Sequence, residues 1–241
     1  SDDESRRGAL SSGSSAVLES AARTALAYKL PLVVVIRSSG ADIVEGFAAL
    51  HGWGRAAKAL ATCSGVVPVV MIVDGPAVSG PALLLGIADF VVMTERAYAF
   101  VSGPTMVTEF TGVVIDNDEL GGAASHSRHS GAASLITADL DAAIAITEQL
   151  LGYLPASNGL EPPEWPTDDP TDRPTPEAGE LIPATSTGSY DVRDVIAALC
   201  DDGEFLEIRP RWASNVITAF VTMGGRPVGV VANQPISLAG T

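Results

Sequence analysis

Along residues 15–30, SAVLESAARTALAYKL, apolar and alanine positions recur at three- and four-residue spacing, which predicts a helix. The pattern then switches. PLVVVIRSS (31–39) is a short, continuous, β-branched run, the mark of a strand buried on both faces. GADIVEGFAALHGWGRAAKALATCSG (40–65) reads as a loop and then a helix that stops at Gly65. VVPVVMIVDG (66–75) is the next buried strand, PALLLGIAD (81–89) the next helix, FVVMTE (90–95) a third strand and AYAFVSG (97–103) a short fourth. Strand, loop and helix in repeated succession is the grammar of an α/β domain with crossover connections.

From DNDELGG (116–122) onward the pattern turns helical, most clearly in ADLDAAIAITEQLLGYL (138–154). Residues 155–189 are rich in Pro, Asp, Glu and Thr and predict an extended surface connection or disorder. YDVRDVIAALCD (190–201) follows as a capped helix. FLEIRP (205–210) and VITAFVTMGGRPVGVVAN (216–233) read as strands, with a Gly-Gly turn in the second.

Composition narrows the class. The 241 residues are 46% hydrophobic with mean hydropathy +0.28, ample for a core, yet no apolar run approaches the roughly 18 residues of a membrane span. The start, SDDESRR, lacks the apolar stretch of a secretory signal. Cys63 and Cys200 lie far apart, fit no metal or redox spacing, and read as ordinary thiols of a cytoplasmic protein. A net charge of −15 argues against nucleic-acid binding, which needs clustered basic residues. The charge is uneven: residues 1–60 carry seven Lys/Arg against six Asp/Glu, and residues 138–241 five against sixteen, so an anionic ligand is best tolerated toward the N-terminal half.

Two glycine turns follow buried strands, in VVVIRSSGAD and VVMIVDGPAVSGP. Ligands of open α/β sheets sit beyond such strand ends. Gly40 would bend the first turn so that the Ala41 N–H points outward. Gly80 would present its own N–H at the positive end of a helix that Pro81 can start. Two amides aimed at one oxygen would form an oxyanion hole. The same glycines serve equally as two tight turns in an α/β core, and the local sequence leaves both readings open.

The order and spacing of further segments carry a resemblance. SSGADIVEGFAALHGWG, SGVVPVV, GPAVSGPALLLGIADFVVMT, AFVSGP, FTG, DELGGAASHSRHSG, YDVRDVIAAL and GRPVGVVANQP together resemble the N-terminal half of the carboxyltransferase component of biotin-dependent acyl-CoA carboxylases, within the crotonase superfamily. The resemblance runs through nearly the whole chain. It implies a crotonase/ClpP-like α/β fold, a spiral of ββα units, with residues 1–241 as one carboxyltransferase N-terminal domain. It also implies an oligomer that binds a CoA thioester as substrate. Biotin would be carried by a partner protein, and the companions would be a carboxyltransferase C-terminal half or subunit and biotin carboxylase and biotin carrier subunits.

Carried over by position, Ala41 and Gly80 are the oxyanion donors, with Gly40, Ser79 and Pro81 lining the substrate. The chain departs from the family where SGAD stands in place of GGAR, so Asp42 replaces an arginine. It departs again where Pro81, which has no N–H, follows Gly80. The related hydratases need two glutamates, and their places hold Leu83 and Thr105, leaving water addition without a general acid or base. The expected activity is therefore carboxyl transfer between carboxybiotin and the α-carbon of an acyl thioester. A biotin-independent malonyl- or methylmalonyl-type decarboxylase and a non-catalytic assembly subunit are the alternatives.

Other residues attract attention. Arg55 and Lys58, one helical turn apart, face either CoA phosphates or solvent, as do Arg6 and Arg7. His51 lies near the first turn and reads as a packing or capping residue. His126 and His129 in SHSRHS lack acidic or cysteine companions and read as a solvated helix face rather than a metal site. Asp89 reads as a local cap or pair.

Overall fold

The computed structural model describes residues 7–185 and 188–238. The chain forms two compact units, residues 1–151 with 156–160, and residues 152–155 with 161–241.

The first unit is built on a five-stranded parallel sheet. Strands β1 (Leu32–Ser38), β2 (Val69–Val78), β3 (Phe90–Thr94) and β5 (Leu135–Thr137) lie side by side in that order, and β4 (Tyr98–Phe100) pairs with the far end of β2. β2 is buried at every residue from Val69 to Gly75, which is why it reads as an unbroken apolar run, whereas β1 alternates between buried and exposed positions. Helices α1 (Ser12–Tyr28) and α2 (Phe47–Ala61) pack together through small residues. A Cβ on Gly52 would lie 3.0 Å from Ser15 Cβ and 3.1 Å from Ser12 Cα, so glycine sets how closely they cross. The α1 start is capped by Ser11, whose hydroxyl accepts from the Ser14 N–H at 3.0 Å. Leu60, Met71, Val73, Leu84 and Met93 fill the core among these elements.

The ladder between β1 and β2 is broken. Ile36 pairs with Val73 but Ser38 with Ala77, so Asp74, Gly75 and Pro76 bulge out of register. Gly75 sits at φ +123°, and a Cβ there would lie 3.2 Å from Arg37 Cγ. The bulge is held by charge. Asp74 is fully buried, and its main-chain carbonyl accepts from Arg37 Nε at 2.8 Å. Its carboxylate accepts from Thr94 Oγ1 (3.1 Å), Arg96 Nε (2.9 Å), Arg96 Nη2 (2.7 Å) and Arg37 Nη2. Burial pushes its pKa up, but the bonds from Arg37, Arg96 and Thr94 outweigh that and hold it below the ordinary carboxylate value. Asp89 reaches across the sheet rather than capping its own helix: its carboxylate accepts from the Val69 N–H at 2.8 Å and fixes the start of β2.

Helix α3 (Gly80–Leu84) runs into a single 3₁₀ turn, Leu85–Ile87, instead of the longer helix expected. Helix α4 (Pro104–Thr111), which the sequence pattern does not announce, has no buried residue. It is followed by α5 (Asn117–Gly121), α6 (Ala123–Ser125), a π-helical turn His126–Ser130 and α7 (Leu140–Gly152). His126 is not a solvated face residue. Its Nε2 lies 2.7 Å from the Ala99 carbonyl and its Nδ1 2.7 Å from Ser130 Oγ, so it serves the outer edge of β4.

The second unit holds α8 (Pro176–Glu180), α9 (Val192–Leu199) and an antiparallel sheet of β6 (Phe205–Ile208), β7 (Val216–Met223) and β8 (Arg226–Asn233). The β7–β8 turn puts Gly224 and Gly225 at φ 58° and 75°, as a tight hairpin of the right twist requires. Their N–H groups donate to the Asp201 carboxylate at 2.9 and 2.8 Å. The Pro- and acid-rich stretch is largely irregular but anchored, with the Trp165 N–H donating to the Gly225 carbonyl at 2.7 Å. No helix among the described residues is long and apolar enough to cross a membrane.

Candidate active site

The first glycine turn leaves β1 at Ser38. Gly40, at φ +121°, turns the chain, and Ala41 then pairs in parallel with Leu10. In that bridge the Leu10 N–H donates to the Gly40 carbonyl (2.7 Å) and the Asp42 N–H to the Leu10 carbonyl (3.0 Å). The Ala41 N–H therefore points away from Leu10, and it has no partner among the described residues. Asp42 is buried, and its carboxylate accepts from the Val44 N–H at 3.0 Å, shaping the loop beyond Ala41. Glu45, further along that loop, accepts from the Ser12 N–H at 2.7 Å and ties it to the start of α1.

The second turn leaves β2 at Val78. Its strained residue is Ser79, at φ 61° and ψ −123°, a conformation that an L-residue holds at a cost of about 1–3 kcal/mol. The Ser79 N–H donates to the Phe100 carbonyl at 2.9 Å, continuing the β2–β4 ladder, and the chain then enters α3. The Gly80 N–H, first in the helix, has no partner among the described residues. The two turns lie against each other: a Cβ on Gly40 would sit 3.5 Å from the Val78 carbonyl oxygen and 3.7 Å from Ser79 Cβ. Gly40, Ala41, Ser79 and Gly80 thus belong to one patch at the strand ends, with Pro81 buried behind them.

Gly80 is glycine for a reason other than the turn that the sequence suggests. Its backbone is an ordinary helix start, and what demands glycine is the indole of Trp53. A Cβ on Gly80 would lie 2.9 Å from Trp53 Nε1 and 3.0 Å from Cδ1. The same indole N–H donates to the Gly80 carbonyl at 2.9 Å. Trp53 is the residue that motif reading misses, because an aromatic at an apolar helix position looks like ordinary core.

The basic pair on α2 divides. Arg55 Nη2 is 2.6 Å from Glu19 Oε2 on α1, and Glu19 also holds Arg23 at 2.6 Å, so Arg55 is committed to an ion pair. Lys58 is exposed and has no partner among the described residues. Of the two N-terminal arginines, Arg6 lies outside the described residues, and the Arg7 carbonyl accepts from the Ser39 N–H at 3.2 Å. No group of three or more metal-ligating side chains occurs among the described residues.

Two amides without a partner among the described residues thus stand at adjacent strand ends of a parallel α/β sheet. The carboxyl transferase domain model matches residues 1–241, and the chain belongs to that family. It is 38% identical over 216 residues to the methylmalonyl-CoA carboxyltransferase 12S subunit of Propionibacterium freudenreichii subsp. shermanii, covering 90% of this chain and 41% of that one. It is 37% identical over 211 residues to the propionyl-CoA carboxylase beta chain of Roseobacter denitrificans, covering 87% and 41%. It is 36% identical over 219 residues to the methylmalonyl-CoA decarboxylase subunit alpha of Veillonella parvula, covering 90% and 43%. The crystal structure of the transcarboxylase 12S hexamer with methylmalonyl-coenzyme A and methylmalonic acid bound superposes with a TM-score of 0.93 at 36% identity, over 96% of this chain and 45% of that one. The crotonase-like α/β fold implied by the sequence is thus the fold found. The chain spans less than half the length of the relatives it matches.

Proposed function

We propose that this chain is the acyl-CoA-binding half of a carboxyltransferase, with both units belonging to one N-terminal carboxyltransferase domain. The observation that carries the reading is the pair of partnerless amides, Ala41 and Gly80, on touching turns of a chain that belongs to the carboxyl transferase family. In this reading both N–H groups donate to the thioester oxygen. As the α-proton is lost to bound biotin or solvent, or in the reverse direction as the α-carboxyl group departs, charge would grow on that oxygen, and each donor would lower the barrier by about 3 kcal/mol. Biotin, when bound, supplies or receives the carboxyl group. Two amides suit one oxygen, and we assign them to the thioester and biotin to a partner protein. Leu83 and Thr105 at the places of the hydratase glutamates fit a reaction that needs enolate stabilisation rather than water addition. Ser79, Gly40 and Pro81 shape the acyl end, and Lys58, more readily than the paired Arg55, is free to meet CoA phosphates.

The surface supports a covering partner. Ile43, Val44 and Phe47, just beyond Ala41, are 89%, 82% and 88% exposed, and Phe110 on α4 is 93% exposed. A run of exposed apolar side chains such as that at 43–47 marks an interaction surface. We assign it to a carboxyltransferase C-terminal half within an oligomer that also recruits biotin carboxylase and biotin carrier subunits. Cys63 and Cys200, free and buried, fit the reducing cytoplasm.

The test uses the protein with its native companions and methylmalonyl-CoA labelled in the free carboxyl. Label appearing on a biotin-bearing chain, and abolished by avidin, is the expected result. Label lost as carbon dioxide in the presence of avidin would establish the biotin-independent decarboxylase reading instead. Unchanged, unbound thioester would reduce the chain to an assembly subunit.

A further inference from the structure

We infer that Trp53 is a positioning residue for the amide pair: its indole, hydrogen-bonded to the Gly80 carbonyl and packed on the Gly80 Cα, sets the direction of the Gly80 N–H relative to that of Ala41. The inference rests on the reading of those amides as oxyanion donors. Trp53 is half-buried against the core, and its Nε1–H donates to the Gly80 carbonyl at 2.9 Å. That carbonyl belongs to the Gly80–Pro81 peptide, which has no N–H to anchor it. The peptide ahead of it, Ser79–Gly80, carries the N–H in question and is held at its carbonyl by the Leu83 N–H at 3.3 Å, and the Ser79 N–H, one peptide earlier, donates to the Phe100 carbonyl at 2.9 Å. The indole anchors the peptide that follows, so that Gly80 is fixed on both flanks. The residue is then gripped from both sides, because the ring leaves no room for a Cβ.

The same side chain reaches both loops through its helix. α2 begins at Phe47, directly after the loop that follows Ala41, and that loop is tied to α1 through Glu45 and to Leu10 through the Asp42 N–H. Gly52, beside Trp53, lets α2 sit hard against Ser12 and Ser15 of α1. Trp53 therefore connects the element that carries the first amide to the residue that carries the second. An oxyanion site works only when its donors stand ready before charge develops, so a tether of this kind acts on rate rather than on binding of the distant parts of the substrate.

The experiment works with the native complex. Trp53 is replaced by benzothienylalanine, which keeps the ring shape and removes the N–H, and in parallel by Ala, with Gly80→Ala introduced alone and in the Trp53→Ala background. For the benzothienyl variant the expected result is a kcat three- to tenfold lower, with the affinity for free coenzyme A, which has no acyl group, within twofold. The affinity ratio of propionyl-CoA over its S-propyl thioether, which lacks the carbonyl oxygen, should fall with it. A purely structural role would leave that ratio unchanged. Gly80→Ala should cost at least fiftyfold in kcat beside Trp53 and under fivefold in the Trp53→Ala background, because the crowding is then relieved. An unchanged ratio and kcat in the benzothienyl variant, or an equal Gly80→Ala penalty in both backgrounds, overturns the inference. Equal affinity of the unsubstituted protein for the thioester and the thioether overturns the oxyanion reading beneath it.

Discussion

Replacing Asp74 by Asn removes one charge from the bulge in β2 while keeping the side chain's shape. The wild-type carboxylate accepts four bonds, from Thr94, twice from Arg96, and from Arg37. An asparagine oriented with its oxygen toward Thr94 and Arg96 Nε keeps two of them. Its amide nitrogen then faces Arg37 Nη2 and Arg96 Nη2, donor against donor, and both charge-assisted bonds are lost. A buried bond of that kind is worth about 1.5–3 kcal/mol. Here the Arg37 and Arg96 side chains are 51% and 62% exposed and can turn to water, so about 1 kcal/mol each is the screened figure. Loss of charge from the two retained bonds adds about 0.5 kcal/mol apiece, giving about 2–3 kcal/mol in all. For a chain of this size that is a fall in Tm of about 5–10 °C.

The pH dependence supplies the sharper check. The folded pKa of Asp74 lies below its ordinary 3.8, so the stabilisation is present above that value and lost as pH falls through the folded pKa. Urea unfolding of both proteins from pH 7 to pH 3 should show the full gap at about pH 5–7 and a narrowing one below about pH 4. A gap under about 0.5 kcal/mol at pH 7, or one that persists undiminished at pH 3, would refute the view that this carboxylate holds the bulge.

Two further outcomes follow from strain and burial. Ser79→Gly should raise the Tm, because relief of about 1–3 kcal/mol of backbone strain exceeds the roughly 0.5–1 kcal/mol entropic penalty of glycine; a lower Tm in a melting experiment would show that the serine hydroxyl holds the turn. Cys63 and Cys200 are buried, and burial pushes both thiols above their ordinary pKa, so an aromatic disulfide reagent at pH 8 should titrate no thiol until the chain is unfolded in guanidinium.

The strand–helix alternation from residue 30 to 103 is legible in the chain because periodicity is a local property. A β-branched run bounded by glycine and proline has few other solutions, and β1, β3 and β4 lie within the segments the pattern marks, whereas β2 starts at Val69 and runs on through Gly75 and Pro76 to Val78 because it pairs with β4 there. β5 escaped, since its three residues carry no pattern of their own and become a strand only by pairing with β3. α4 escaped too, since it is only eight residues long and none of them is buried.

The candidate site divides in the same way. Glycine turns after buried strands, and the order of the family's segments, are written in the sequence and identify Ala41 and Gly80 as residues of interest. Where their amides point is not written there, because a backbone N–H is the same in every residue but proline. Its availability depends on which neighbour takes it: Leu10 pairs beside Ala41 without using its N–H, and Phe100 takes Ser79 but leaves Gly80. Nor does the chain reveal that Gly80 is glycine because of Trp53, twenty-seven residues earlier. Likewise, Asp74 looks like a lone polar break in an apolar strand until the fold brings two arginines from other elements to its carboxylate. Helices and strands could be read along the chain because near neighbours settle them. Direction, pairing and crowding had to wait for the fold, because they are set by residues tens of positions apart that meet only once the sheet has formed.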